Sequence, residues 1–456
     1  MEEFKDAGGY AGTVERSFRP ETEEELQAIV REAYEKDIPI TIAGSWTGVA
    51  GGSIGHDGWM IGLERFRKCE ILDGRANVGA GVILRDLQAA AKAKGQVYAP
   101  DPTENTASLG GMIATNASGS RCFYWGATRV HINALRVVMA DGTLRTFRRG
   151  EAIDFDVTEV PLPRTTKHSV AFPLKPGMDW VDLFIGSEGV LGIVTEAEVK
   201  LHRAPKGELL TGVLFFETEE QAWNAVDAWR STQGLRMLEY LDNGSLRLLD
   251  AKVPAAAHSA LMIEAEIEAP ELEALWDERL EFPGLLADDS WVAASAADRE
   301  RFRVFRHSLP EKVNETVIRN GFLKVGSDCA VPLEKNQEML LWYREVMERE
   351  MPGQYVIYGH IGDAHVHVNL LPKTKQQFDR AKELMQEIAA KAASLGGTVS
   401  AEHGLGKRKA HFLRLQYNDE QIAAFCAVKK RLDPKWLLGR GTLLPVPADV
   451  LQLQSA

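Results

Sequence analysis

Two runs of this chain are poor in side chains. One is Gly44-Ser45-Trp46-Thr47-Gly48-Val49-Ala50-Gly51-Gly52; the other is Ser108-Leu109-Gly110-Gly111-Met112-Ile113-Ala114-Thr115-Asn116-Ala117-Ser118-Gly119. Glycine and small residues let backbone N–H groups come close to a phosphate. A helix start behind such a loop adds a favourable dipole. The first run follows an apolar strand at 39–43. Before that strand, Leu26, Ile29, Val30, Ala33 and Tyr34 make one face of a helix that starts at a Thr22/Glu25 capping box. The second run follows Pro100-Asp101-Pro102-Thr103. Neither is a P-loop, because no Gly-Lys-Ser/Thr occurs. Neither is Gly-x-Gly-x-x-Gly, since Gly79-Ala80-Gly81 lacks the third glycine. Taken singly, each reads as well for a tight turn as for a phosphate cradle.

A chain of 456 residues predicts two domains or more. A helix at 84–94 stops at Gly95, and strands are expected at 134–140, closed by Asp141-Gly142, and at 192–201. The composition shifts after about residue 205. Strands at 209–216, 261–268, 354–361 and 364–371 then alternate with helices at 218–230, 334–350 and 376–395. The strand at 261–268 interleaves acidic and apolar residues, so it reads as half exposed. This order predicts an α+β domain, an antiparallel sheet with helices on one face. The tail after about 415 reads as helical, then irregular.

Net charge is −12 with no Lys/Arg block, which argues against nucleic acid or an anionic membrane as partner. A few local cations still suffice for an anionic substrate. Cys69, Cys122, Cys329 and Cys426 are far apart and form no Cys-x-x-Cys pair. That excludes an iron–sulfur cluster or cysteine zinc site built by this chain alone and suits a reducing compartment. No apolar run reaches the ~20 residues that span a bilayer. The acidic start, Met-Glu-Glu-Phe-Lys-Asp, is no signal sequence. A cytoplasmic location is the expectation.

Five of the eleven histidines lie between 360 and 411. They belong to Gly359-His360-Ile361-Gly362-Asp363-Ala364-His365-Val366-His367 and to Ser400-Ala401-Glu402-His403-Gly404-Leu405-Gly406-Lys407, with His411 beyond. Imidazoles with a carboxylate are ligands for zinc or a similar divalent ion. A histidine left beside such a site can accept a proton. His365 and His367 stand two apart and face one side of a strand. A single buried histidine is more often a structural hydrogen-bonder, so the weight rests on the group.

With a third segment, Phe184-Ile185-Gly186-Ser187-Glu188-Gly189-Val190-Leu191-Gly192-Ile193-Val194-Thr195, the set resembles the PCMH-type FAD-binding domain of the vanillyl-alcohol oxidase superfamily. It is most similar to the D-2-hydroxy-acid dehydrogenase branch, which holds the FAD subunit of glycolate oxidase, D-lactate dehydrogenases and D-2-hydroxyglutarate dehydrogenase. The resemblance covers about residues 10–440. It implies a two-part FAD-binding domain at 1–205, a ferredoxin-like α+β cap at 206–415 for substrate and metal, and a segment at 416–456 that returns to the first domain.

The resemblance implies that Gly44, Ser45, Trp46, Thr47 and Gly48 wrap the FAD pyrophosphate. Pro100, Asp101, Thr103, Gly110, Gly111, Ala114, Thr115, Asn116, Ser118 and Gly119 would line the dinucleotide and flavin, and Glu188, Gly189 and Ile193 continue that cleft. Relatives often have Arg-Gly-Gly-Gly-Thr-Gly where this chain has Ala43-Gly44-Ser45-Trp46-Thr47-Gly48. The phosphate loop carries no histidine, so the flavin reads as non-covalent; His56 and Cys122 are the nearby nucleophiles.

By the same match His360, His367 and Glu402 are ligands of a divalent metal (zinc first, manganese or iron(II) next), and His403 is the base. His365, where relatives commonly carry Asn, is an added ligand or an outer donor. Arg306 and Lys324 would hold a substrate carboxylate, while Lys407, Arg408 and Lys409 read as surface charges. At the C-terminal end Gly439-Arg440-Gly441-Thr442 stands where the family has Asn-Pro-Gly-Lys. The implied reaction is oxidation of a D-2-hydroxy acid, glycolate or D-lactate, to the keto acid. Electrons would pass to a separate acceptor: an electron-transfer flavoprotein, an iron–sulfur subunit or a quinone. The oligomeric state stays open, a homodimer included. The alternatives are an alkylglycerone-phosphate-synthase-like flavoenzyme and a flavin relay subunit of a larger complex.

Overall fold

The apolar run before the first glycine loop forms the strand Ile40–Ala43 in a computed structural model that describes residues 1–205, 207–249, 253–448 and 450. It pairs in parallel with Trp59–Gly62, which pairs in parallel with Arg16–Phe18. The helix Glu23–Glu35 covers this small sheet. Thr22 caps it by accepting from Glu25 N–H at 3.2 Å, and Leu26, Val30 and Ala33 are buried. Those residues also meet Val138, Ala140 and Ile193 of a second sheet, so one helix joins two sheets into one core. The second sheet is antiparallel, in the order Leu144–Arg148, Ile132–Val138, Ile193–Lys200, Arg75–Gly79, Cys69–Leu72.

After residue 205 the chain builds a seven-stranded antiparallel sheet. Its order is Trp291–Val292, Glu208–Phe216, Ser259–Ile267, Leu235–Leu241, Tyr355–His360, His365–Leu370, Val325–Gly326. Two expectations fail here. Helices cover both faces, not one. Val213 and Phe215 pack with Phe302, Phe305, Leu309 and Val313 of the long helix Ala296–Arg319, which the sequence reading did not foresee. Leu214 and Phe216, pointing the other way, meet Trp223, Trp229, Trp276 and Tyr343 of other helices. Nor is Ser259–Ile267 half exposed. Glu264 and Glu266 are buried, because Arg236 lies 3.5 Å from each and Arg121 donates to both oxygens of Glu264. Among the described residues no helix is long and apolar enough to cross a membrane.

The C-terminal helix Asp419–Leu432 leads back to the first sheet. Ile40 N–H donates to Leu437 O and Gly439 N–H to Ile40 O, both at 2.8 Å, extending the sheet edge. Lys429 is the pin. Fully buried, its ammonium donates to Val190 O (2.7 Å) and Leu438 O (2.8 Å) and pairs with Asp433. Removing one partner of such a pair leaves a buried charge uncompensated. Lys429→Met is therefore expected to destabilise the protein by about 3–5 kcal/mol, read from urea unfolding followed by tryptophan fluorescence. An unchanged midpoint would show that the segment is held by its apolar contacts alone.

Candidate active site

The two glycine loops face each other across a cleft of about 1020 Å³. Ser45 Oγ accepts Ser108 N–H at 2.8 Å and ties the loops together. Ser108 also caps the helix Leu109–Thr115. The loops are so close that a Cβ on Gly44 would lie 2.3 Å from Ser108 Oγ. Gly48 differs: it lines the cleft, and a Cβ there would meet nothing within 4 Å. That bare stretch is the cradle a dinucleotide needs, so the loops fit FAD. Trp46 stands in the left-handed region, φ +64°, a conformation that costs roughly 1–2 kcal/mol for a residue with a Cβ. Phe4 stacks on its ring at 5.2 Å and 7°, an aromatic contact that offsets part of that strain.

Of the residues assigned to the dinucleotide, Gly44 to Gly48, Thr103, Gly110, Gly111, Ala114, Thr115, Ser118, Glu188, Gly189 and Ile193 line the cleft. Pro100, Asp101, Asn116 and Gly119 are not among its lining residues. Asp101 is drawn away by an ion pair with Arg121. The Asn116 side chain bridges His168 O and Arg129 N–H. A Cβ on Gly119 would fall 2.0 Å from Asp101 O, so this glycine serves chain packing behind the wall. Glu188 reaches the cleft, but its carboxylate accepts N–H bonds from Leu405 and Gly406, both 2.8 Å. Burial pushes its pKa up to about 7. Neither Cys122, which is buried, nor His56, whose ring meets Tyr10 Oη at 2.8 Å, lines the cleft.

At the far end the hairpin Tyr355–His360/His365–Leu370 places His360 opposite His365 and Tyr358 opposite His367. Positive φ at Gly359 (+133°) and Ala364 (+50°) lets the strands turn there. The ligand atoms of His360, His365, His367 and Glu402 lie within 4.8 Å of one another. His367 Nδ1–H donates to Ser327 O at 3.0 Å, leaving Nε2 with its lone pair. His360 Nδ1 meets Glu239 Oε1 at 2.5 Å, and its Nε2 faces Glu402 Oε1 at 3.4 Å. Two lone-pair atoms cannot face each other unscreened; a proton or a cation must lie between them. Both nitrogens of buried His365 lack a hydrogen-bond partner among the described residues, although Nε2 is 3.3 Å from Asp328 Oδ1.

Four carboxylates, Glu239, Asp328, Asp363 and Glu402, meet in this interior, and Arg306 and Lys167 pair directly with three of them. Three imidazoles and a carboxylate, one imidazole unpartnered among the described residues, make a donor set that suits one divalent cation, and His360, His365, His367 and Glu402 could hold it. Burial opposes ionisation of Glu402, but His360 and Lys167 outweigh it and hold its carboxyl well below the usual range. Burial lowers His367 far below an ordinary histidine, with His365 and His403 adding to the effect. It lowers His403 too, against the pull of Asp328. His403 thus carries a neutral ring, 37% exposed, stacked on His367 at 5.6 Å and 11°. Adjacent residues diverge here, with Glu402 turned into the cluster and His403 to the cleft.

Three partners went unread in the sequence. Glu239 stands alone in a fully buried strand, LRMLEYL, and an acid in such a run was the available signal. It receives Arg306 Nε and Nη2 at 3.0 and 2.8 Å and fixes the His360 tautomer. Asp328 accepts His403 N–H (2.9 Å) and Ser400 Oγ–H (2.7 Å) and sits 3.7 Å from His403 Nδ1. Lys167, fully buried, donates to Glu402 Oε1 at 2.7 Å, the same oxygen that accepts Ser118 Oγ–H at 2.6 Å. Nothing local marked it.

The expected carboxylate clamp is also revised. Arg306 is committed to Glu239 and, through Nη1, to Thr103 Oγ1 at 2.9 Å. Lys324 opens on the cleft and pairs with no described acid. The side chain is exposed to the cleft, yet desolvation by the walls around it, with Lys409 and Arg306 nearby, lowers its pKa to about 8. Arg408 and Lys409 line the cleft as well, and Lys407 reaches Thr442 Oγ1 at 3.0 Å; none is a plain surface charge. Gly48→Leu should fill the cradle without disturbing its neighbours. The purified variant is expected to keep its circular dichroism and lose most of its flavin absorbance at 450 nm; full retention of flavin would move the dinucleotide elsewhere.

A profile of an FAD-binding domain matches residues 15–148, and one of the C-terminal domain of FAD-linked oxidases matches 208–443. The chain is similar to a D-lactate dehydrogenase of Archaeoglobus fulgidus, at 29% identity over 93% of this chain and 90% of that protein. It is 30% identical to a D-2-hydroxyglutarate dehydrogenase of Xanthomonas citri pv. viticola, over 93% and 88%. It is 29% identical to the glycolate oxidase subunit GlcD of Escherichia coli, over 93% and 83%. Among solved structures, an alkyldihydroxyacetonephosphate synthase shares the fold, with TM-score 0.67 and 17% identity over 93% of this chain and 76% of that one. With both halves matched, the chain belongs to the FAD-linked oxidases and is an FAD-dependent oxidoreductase.

Proposed function

We propose that the chain oxidises a D-2-hydroxy acid to the 2-keto acid, and the observation that carries this is that His403 and Lys324, which pairs with no described acid, open on the cleft beside a partly buried His₃Glu group. When bound, FAD accepts the hydride of the substrate's Cα, and a divalent cation would favour loss of the hydroxyl proton. His403 takes that proton, the C–H bond breaks and the C=O bond forms. Asp328, beside Nδ1, orients the ring and favours its charged form once the proton arrives. Lys324, with Lys409 close by, seats the substrate carboxylate. Residues 1–205 would hold the flavin, 206–415 the substrate and metal, and 416–456 the closing segment. No described cysteines pair, so electrons leave to a separate acceptor, as suits a chain whose relatives include an oxidase subunit.

Anaerobic bleaching of the bound flavin by D-lactate or glycolate tests this. Bleaching should occur, stop in chelator-treated protein and return with zinc or manganese. His403→Ala should stay yellow and bleach at least ~100-fold more slowly. A flavin untouched by every 2-hydroxy acid, or full speed in His403→Ala, would refute the mechanism.

Lys324 gives a pH signature. Its pKa of about 8 means the ammonium is charged below that pH and neutral above it. The Michaelis constant for D-lactate should therefore stay level below about pH 8 and rise above it. Lys324→Arg should flatten the rise; an unaltered profile would assign the carboxylate to another cation.

A further inference from the structure

Two helices wall the outer half of the cleft. From Ala296–Arg319, the residues Arg306, Pro310, Asn314, Val317 and Ile318 line it, at the spacing of one helical face. Arg306 to Ile318 runs ~18 Å at ~1.5 Å per residue. The inner end is fixed at the histidine cluster, since Arg306 holds Glu239 and Glu239 holds His360. The outer end is the rim, where Ile318 is 70% and Leu323 46% exposed. Phe378, Lys382, Met385 and Gln386 of the helix Lys375–Ser394 line the cleft too, again with one helical face. Lys382 turns its ammonium over the Phe378 ring, 4.2 Å from its centroid, and Phe378 stacks on Phe322 at 5.2 Å. Between the walls, Val325 and Gly326 pair with Leu370 and Asn369, three and two residues past His367. A Cβ on Gly326 would lie 2.7 Å from Asn369 Oδ1, so the Asn369 amide lies against this glycine in the floor.

Glycolate and lactate are too short to touch most of this surface. We propose that the groove receives the substrate's side chain, so that the chain favours 2-hydroxy acids with an extended apolar side chain, aliphatic or aromatic, over glycolate and lactate. This rests on the reading of the site as a 2-hydroxy-acid oxidising centre, and the redox step is the one already given. The groove is continuous with the cavity into which His403 and Lys324 open. With the carboxylate seated at Lys324, a long side chain has the strip from Met385 and Leu323 toward Ile318 as its apolar path.

The test uses the FAD-loaded protein with a dye as electron acceptor. Substrates are D-lactate, D-2-hydroxyhexanoate, D-2-hydroxyoctanoate and D-3-phenyllactate. The expected kcat/KM rises about fourfold per added methylene, the factor that burying one CH₂ supplies. Met385→Trp, which fills the groove, and Leu323→Asp, at an exposed position, should each flatten that rise. Their loss for the octanoate should exceed their loss for D-lactate. A kcat/KM that does not grow with chain length while D-lactate still reduces the flavin overturns the groove and leaves the site's chemistry standing. Equal losses on short and long substrates in both variants overturn it as well. No reduction by any of the four acids overturns both.

Discussion

One oxygen atom joins the flavin half of this protein to the histidine half. Oε1 of Glu402 accepts from Ser118, on the second glycine loop, and from Lys167, in the long connection before the third cofactor segment. It also lies 3.4 Å from His360, in the seven-stranded sheet. A carboxylate can be held in a low-dielectric interior only if positive or donor groups surround it. Here those groups come from three distant parts of the chain, so the position of Glu402 depends on the whole fold being closed. Ser118 lines the flavin cleft and Glu402 belongs to the histidine cluster. Two sites that share one hydrogen bond cannot be placed independently.

The loop that carries Glu402 is secured on both sides. Asp328 takes the N–H groups of Glu402 and His403 from the cap side. Glu188 takes those of Leu405 and Gly406 from the flavin side. Four backbone N–H groups between Glu402 and Gly406 therefore hang between two carboxylates. Gly404 (φ +71°) and Gly406 (φ +55°) supply the left-handed turns this demands. A Cβ on Gly406 would fall 1.9 Å from Ala50 O, so the loop also packs directly on the first glycine loop. The chain holds this segment by anchoring its backbone, leaving the His403 ring free to face the cleft.

What was legible in the sequence follows from this. The glycine runs, the His/Glu group and most elements of both sheets carry local signals: bare backbone, histidines two apart, apolar periodicity. Glu239, Asp328 and Lys167 carry none of that kind. Each is a single charged residue whose hydrogen-bond partners lie 67 to 235 positions away in sequence. Alternation misled for the same reason at Glu264 and Glu266, which look solvent-facing until Arg236, from the neighbouring strand, is placed beside them. Trp46 is a different case. A residue with a large side chain in a left-handed loop is legible only as a departure from the family pattern, and its support, Phe4, lies in a separate hairpin.

The cations show how much burial decides the role of a residue. Arg306 sits where a substrate carboxylate could be gripped by a guanidinium fork. Its three nitrogens are instead shared between Glu239 and Thr103, in an environment only 11% exposed. Such a buried pair does little for net stability, because desolvation cancels most of the attraction. What it does supply is orientation: with Glu239 held from behind, His360 is fixed in one tautomer, its Nε2 aimed at the cluster. Lys324 and Lys409, which line the cleft, are point charges on flexible stems. A compact ammonium tolerates carboxylates at several angles where a fork accepts one. Burial thus commits the arginine to fixed geometry within the protein and leaves the lysines facing the open cleft.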